Sequence, residues 1–251
     1  MAHVNWLNLS AAVLGMTTVW AAPAAAQPRS QPRVEISANA GALGAGTFTQ
    51  SDTLISNGGE TETITAEHAA RTSLGFNAGA AVRVASRFWV GVQYARADTK
   101  PSASIEALIP HPILFNAPRT VEGSIDSVAH NEQNVHVDVM YSLPVRAVDV
   151  KVMGGPTWFN LKQNFVSDVS INETYPFDTA TFDGATTKRL SSSALGFNVG
   201  MDVSRSLTSR IGIGGLIRYS SADLKFDDSN TRQHTVRAGG VEVGAGVRLR
   251  F

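Results

Sequence analysis

The sequence predicts an all-β protein: a closed antiparallel transmembrane β-barrel of about eight strands, with a removable leader in front of it. Three observations carry that expectation. From Val241 to Phe251 the chain alternates without error, with Val241, Val243, Ala245, Val247, Leu249 and Phe251 on one face. Glu242, Gly244, Gly246, Arg248 and Arg250 fall on the other. The same period recurs along the chain, with long and short connections alternating between the strands. Finally, 43% of the residues are hydrophobic, yet the body of the chain has no apolar run of about eighteen residues, which excludes helical spans. At about 3.4 Å per residue and a tilt of about 45°, an eleven-residue strand rises roughly 26 Å, the height of a bilayer's apolar band.

Before the strands, an apolar run from Leu7 to Trp20 leads into Ala21-Ala22-Pro23-Ala24-Ala25-Ala26. Ala24 and Ala26 fit the small-x-small rule, so residues 1–26 are expected to be a signal peptide cleaved before Gln27, and 27–251 the barrel domain. Val34 to Ala42 alternates as the first strand, and the polar 50–70 segment, with Asn57-Gly58-Gly59, reads as a long loop. Leu74 to Val84 and Phe88 to Tyr94 form a hairpin about a tight turn at Ala85–Arg87. Residues 100–125 carry Pro101, Pro110, Pro112 and Pro118 and read as a second long loop, since proline cannot sit in a central strand.

Val135 to Leu143 is the fourth strand and Val148 onward the fifth, with Gly154-Gly155-Pro156 expected as a bulge or bend. A third long loop is expected over 163–190. Leu195 to Val203 and Ile211 to Tyr219 then form a hairpin, and a last loop at 227–235 returns the chain to its final strand. The hexapeptide Leu74-Gly75-Phe76-Asn77-Ala78-Gly79 is echoed at Leu195-Gly196-Phe197-Asn198-Val199-Gly200. Each copy is followed one hairpin later by Tyr-x-x-Ala-Asp, at Tyr94–Asp98 and Tyr219–Asp223, so the two hairpins read as equivalent positions in one sheet.

Alternation alone does not say which face meets which solvent; a soluble barrel has the same period with the apolar side inward. The composition of the polar face favours lipid outside. The polar faces are rich in glycine and asparagine, and few of the basic residues are lysine. An arginine facing lipid at mid-depth costs about 2–4 kcal/mol, so the strand arginines are expected inside, paired with carboxylates. The expected lumen network comprises Glu35, Arg83, His136, Asp138, Lys151, Asp202, Arg218, Glu242, Arg248 and Arg250. Tyr94, Tyr141, Tyr219 and Phe251 are candidates for aromatic girdles.

Zero formal net charge argues against a nucleic-acid partner, and the absence of cysteine removes disulfides and thiolate metal sites. No cofactor is expected. His136 with Asp138 and His130 with Glu132 are the neighbours from which base chemistry would have to be built, but no nucleophile motif accompanies them and a lumen network is the expected role. The stretch from Ile105 to Phe115, with Ile105, Leu108, Ile109, Ile113, Leu114 and Phe115, is apolar for an exterior loop and marks a candidate contact surface.

Taken together, the leader, the alternating strands, Gly154-Gly155-Pro156 before aromatics and the closing Val247-Arg248-Leu249-Arg250-Phe251 resemble the small outer-membrane β-barrel proteins of Gram-negative bacteria, the group around the membrane domain of OmpA, OmpX and OmpW. The terminal Phe251 resembles the assembly signal of such barrels. The resemblance implies an outer-membrane location, contact with outer-membrane lipid and lipopolysaccharide, insertion by the barrel assembly machinery, and exposed loops able to meet a host or envelope ligand. Because the interior of an eight-stranded barrel is just wide enough for its own side chains, a structural or surface-interaction role without enzymatic activity is expected. The alternatives are a narrow passive channel for small or apolar solutes, as in the OmpW-like members, and a lipid A-modifying barrel enzyme.

Overall fold

A computed structural model describes residues 32–44, 48–55, 59–69, 72–228 and 232–251. The leader expected over 1–26 lies outside the described residues, as do Asn57 and Gly58 of the expected turn. The described chain forms strands β1 (Val34–Gly44), β2 (Phe48–Ile55), β3 (Thr61–His68), β4 (Thr72–Arg83), β5 (Phe88–Thr99) and β6 (Ala103–Ile109). These are followed by β7 (Arg119–Ile125), β8 (His130–Val145), β9 (Val148–Glu173), β10 (Ala180–Ser206), β11 (Ile211–Asp228) and β12 (Arg232–Arg250).

Eight of these close into an antiparallel barrel in the order β1-β12-β11-β10-β9-β8-β5-β4, with β4 pairing back onto β1. Closure removes every sheet edge at bilayer depth, which hydrocarbon requires because it offers backbone groups no hydrogen-bond partner. The final strand seals the seam: Glu35 pairs with Arg250 and Gly41 with Gly244, and the carbonyl of Phe251 accepts from the amides of Arg33 and Val34.

The outer wall is apolar. Ile36, Phe76, Val82, Val90, Val92, Val137, Val139, Val152, Val199, Ile213, Ile217, Val243 and Val247 all point outward and are exposed. Their neighbours Glu35, Asn39, Asn77, Gln93, Asp138, Lys151, Asp202, Arg218 and Arg248 are buried inside. A water-soluble barrel has the opposite distribution, so this cylinder is built for lipid. Near one end of the wall Phe76 packs on Tyr94 with centroids 6.0 Å apart and planes at 51°, and Phe197 packs on Tyr219 at 6.1 Å and 55°. The echoed hexapeptides thus place equivalent aromatic pairs in two hairpins, and Trp158 on β9 also faces outward. Near the other end Phe88 meets Tyr141 at 5.1 Å, with Phe251 exposed at the closing edge.

Four of the expected loops are built largely of strands. The 50–70 segment holds β2 and β3, and 100–125 holds β6 and β7; together they form a separate four-stranded sheet, β2-β3-β6-β7. The prolines of the second segment fall outside its strands: Pro101 precedes β6, and Pro110, Pro112 and Pro118 lie in the β6–β7 connection. The 163–190 stretch continues β9 and β10 as a paired ribbon, Gln163 opposite Leu190 and Glu173 opposite Ala180. Likewise 227–235 is the end of the β11–β12 ribbon, with Asp227 opposite Gln233, and 229–231 lie outside the described residues.

Gly154-Gly155-Pro156 is not a bulge: the three pair in unbroken register with Val199, Asn198 and Phe197 on β10, while on β8 the pairing skips Gly155 and Pro156 between His136–Thr157 and Val139–Gly154 without changing register. Glycine is needed at 155 because a Cβ there would run into the backbone carbonyl of Val137 on β8. The register shifts lie farther out, between Phe182 and Gly184 and between Thr186 and Thr187, leaving Asp183 and Ser167 as extra residues.

Above the wall the sides exchange chemistry. On β9, Lys151, Met153 and Thr157 face inward, and so do Phe159, Leu161 and Phe165, while Lys162 lies on the opposite face. On β11, Arg218 and Ser220 give way inside to Ala222, Leu224 and Phe226, and the outer face turns polar with Asp223 and Lys225. A first apolar core therefore caps the barrel, built from Phe159, Leu161, Phe165, Leu224, Phe226, Val236 and Ala238. Beyond Ser167 the β9–β10 ribbon presents Val169, Ile171, Phe182 and Ala185 to Ile64, Ala66, Ile105, Ala107, Ile109 and Val121 of the small sheet. Gly123 permits this packing, since a Cβ there would enter the ring of Phe182.

Candidate functional site: a filled lumen and a distal apolar turn

Inside the barrel the charged side chains stack in two layers. In the first, next to the short turns, Glu35 accepts from Lys151 at 2.5 Å and Arg250 at 2.7 Å. Arg250 also donates to Ser204 at 2.6 Å and Ser206 at 2.7 Å, and Asp149 lies 3.6 Å away. Lys151 stands 4.7 Å from the ring of Trp89, while Arg248 pairs with Asp202 and donates to Asn39 at 2.7 Å. Arg83 is half-buried, its guanidinium 5.9 Å from the same Trp89 ring.

The second layer centres on Arg218, which donates to Asp138 and Gln93, both at 2.9 Å, and lies 3.7 Å from Glu242. His136 and Asp138 do not join as acid and base: the Nδ1 of His136 pairs with Thr157 Oγ1 at 2.8 Å, and Asp138 is taken by Arg218. His130 meets Gln163 at 2.5 Å and Glu132 at 3.7 Å. Space left among Glu35, Gln93, Lys151, Asp202 and Arg248 amounts to about 10 Å³, at the lower limit of what one water needs. The inner part of the lumen is a packed ion-pair network.

The candidate contact residues divide in two. Ile105 and Ile109 belong to β6 and are buried in the small sheet's core, and Leu108 faces outward on the same strand. They do not form a loop surface. Ile113, Leu114 and Phe115 do, on a turn fixed by its neighbours. His111 Nδ1 accepts from the amides of Ile113 at 3.1 Å and Leu114 at 3.0 Å. Asn116 takes a left-handed φ of 60° and donates its amide to Glu60 at 2.6 Å. Arg119 ties the base, donating to Pro110 O at 3.0 Å and Phe177 O at 2.7 Å and pairing with Glu173 at 2.7 Å.

Phe115 is left 81% exposed at this distal end, near a groove of about 620 Å³ that Glu60, Glu62, Ile113 and Arg119 help to line. Burial, and then the charge of Asp168, raises the carboxyl of Glu62 above its ordinary range. The sequence signalled the turn through its run of apolar residues, but not Arg119 or His111, whose importance depends on partners far along the chain.

A closed eight-stranded cylinder with a lipid-facing wall and a charge-filled interior defines the class: a transmembrane β-barrel with the outer-membrane protein fold. No family model matches the chain, and no curated protein matches it. Among solved structures it is similar to the outer membrane protein OprG from Pseudomonas aeruginosa, at 9% identity over 88% of this chain and 96% of that one, with a TM-score of 0.50. It is also similar to Neisserial surface protein A, at 14% identity over 87% of this chain and 97% of that one, with a TM-score of 0.48. At these identities the likeness to OprG concerns the fold alone.

Proposed function

We propose that the protein is an integral outer-membrane barrel of the small Gram-negative group around OmpA, OmpX and OmpW, with a surface-interaction role and no enzymatic activity. The observation that carries this reading is the pairing of a filled lumen with a rigidly held apolar turn at the far end, Ile113-Leu114-Phe115. Exposed apolar groups fixed on a braced turn are suited to contact, because little ordering entropy remains to be lost on binding. On this reading the short turns face the periplasm, outer-membrane lipid and lipopolysaccharide surround the wall, Phe251 is read by the assembly machinery, and the β2-β3-β6-β7 sheet stands outside the cell. The partner is a host or envelope surface ligand.

The test is attachment. Cells displaying the protein are expected to bind a host-cell or envelope surface, and Phe115→Asp with Leu114→Asp to lose at least tenfold of it while keeping the heat-dependent gel mobility of a folded barrel. Equal attachment by the variant refutes the role. A passive channel predicts discrete conductance in reconstituted bilayers and a lipid A-modifying enzyme predicts altered lipid A on expression; silent bilayers and unchanged lipid are expected.

A further inference from the structure

Beside β12 the described strands end at different levels. β1 stops at Gly44, opposite Val241, whereas β12 continues outward to Arg232. Phe48 and Thr49 of β2 and His68 at the end of β3 help to line a cavity of about 540 Å³ there. Gly239 and Gly240, with φ of 88° and 144°, shape the β12 side, and a Cβ on Gly239 would strike the backbone of Ser220. Tyr219, the last outward aromatic of β11, stands at the mouth, so the cavity opens where the wall changes from apolar to polar. Its floor is Glu132, only 1% exposed.

Charge and unused hydrogen-bonding capacity say what would fill it. The first lumen layer is balanced: Glu35, Asp149 and Asp202 face Lys151, Arg248 and Arg250. The second is not. Asp138 and Glu242 share the single guanidinium of Arg218, and Glu132, a further buried carboxylate, lines the cavity. Its hydrogen bonds come from neutral donors, Asn134 at 2.7 Å and the Gly239 amide at 3.3 Å, with His130 at 3.7 Å. His68, also 1% exposed, lines the cavity with neither ring nitrogen hydrogen-bonded among the described residues, its face stacked on Phe48 at 4.1 Å and 8°. A buried carboxylate held by neutral donors and one imidazole, in a cavity that also presents Phe48, Tyr219 and Val236, is complementary to an ammonium group on an apolar body.

We propose that this cavity binds a small amphiphilic organic cation, its ammonium against Glu132 and its apolar part between Phe48 and Tyr219, entering from the bilayer's outer boundary. The same chemistry is offered by a free alkylamine and by an amine-bearing lipid headgroup. The proposal is independent of the contact role of the Ile113–Phe115 turn.

The test is calorimetric titration of the full barrel, refolded in a maltoside detergent, with octylammonium, octanol and octanoate. Octylammonium is expected to bind at least tenfold more tightly than octanol, and octanoate not to bind. Glu132→Gln should bring octylammonium down to the affinity of octanol. Thr49→Trp, at an exposed position on the rim, should weaken it at least tenfold without touching a buried contact, and carries the test if Glu132→Gln does not fold. Equal affinity for amine and alcohol, or unchanged binding in Thr49→Trp, overturns the proposal. In nanodiscs, displacement of octylammonium by phosphatidylethanolamine but not phosphatidylglycerol assigns the site to a lipid headgroup, and retention in both assigns it to a free amine; either result supports cation recognition.

Discussion

Replacing Arg218 with methionine tests whether the lumen's second layer is held by charge or by volume. The guanidinium is fully buried and lies 2.9 Å from Asp138 and 3.7 Å from Glu242. At an effective dielectric of about 20 those separations correspond to gross attractions of about 6 and about 4 kcal/mol. Desolvation of the three groups cancels much of that, so the net worth of the intact cluster is small. Removing one member is different, because Asp138 stays buried and Glu242 half-buried without their counter-charge, and Arg218→Met is expected to cost about 3–5 kcal/mol. Adding Asp138→Asn should restore a large part of the loss, a coupling visible in a double-mutant cycle. The assay is urea unfolding in lipid vesicles, scored by heat-dependent gel mobility, with Arg237→Ala as a reference. Its partner Asp223 is 3.3 Å away but both are exposed, so that change should stay within about 1 kcal/mol. An Arg218→Met barrel within about 1 kcal/mol of the parent, or a double variant no better than the sum of the singles, would refute the charge argument.

Further predictions follow from the wall, the close strand contact and the outer sheet. Val139→Arg, on the outward face of β8, should lower stability by about 2–4 kcal/mol, while Gln133→Arg, beyond the apolar band on the same face, should be nearly neutral; equal effects in vesicle refolding would mean that the wall does not face lipid. Gly155→Val should reduce the folded yield sharply, because its Cβ would meet the Val137 carbonyl, and normal refolding would show that β8 and β9 can separate. His68, outside the bilayer-spanning segment, is pushed down to about 4 by burial and then by the charge of His130. The unfolded imidazole, near 6.5, takes up a proton first, so stability from this residue is complete above that pH and is lost as pH falls toward 4, by about 3 kcal/mol. Proteolysis of the β2-β3-β6-β7 sheet should accelerate over that window and flatten in His68→Phe; a parent protein insensitive to pH there contradicts the assignment.

The barrel strands were legible because a bilayer wall imposes one rule along its whole height. Each residue on β8 from Val135 to Leu143 alternates lipid with lumen, and no other solvent arrangement tolerates Val137 and Val139 outside with His136 and Asp138 within. The pairing among lumen groups was not legible: Arg218 meets Asp138 across 80 positions of sequence and Arg250 meets Glu35 across 215. Nor was the cavity over Glu132, whose lining is drawn from segments as far apart as Phe48 and Gly240.

The missed strands share a physical cause. Beyond Trp158 and Tyr219 the outer solvent becomes water, so the alternation persists with its chemistry reversed, Phe159, Leu161 and Phe165 inside and Lys162 outside. Read with the bilayer's convention, such stretches look like polar loop. The Ser167 bulge then moves the apolar side to the other face of the ribbon, where Val169 and Ile171 meet the small sheet and a strict period of two no longer holds. Water outside also makes the extra sheet possible. Edges that hydrocarbon forbids are tolerated there, so β2 and β7 can end a sheet that is held to the barrel by side-chain packing instead of by continuous hydrogen-bonded closure. That difference predicts where the molecule will yield first under denaturant: in the packed outer sheet, before any strand of the closed ring.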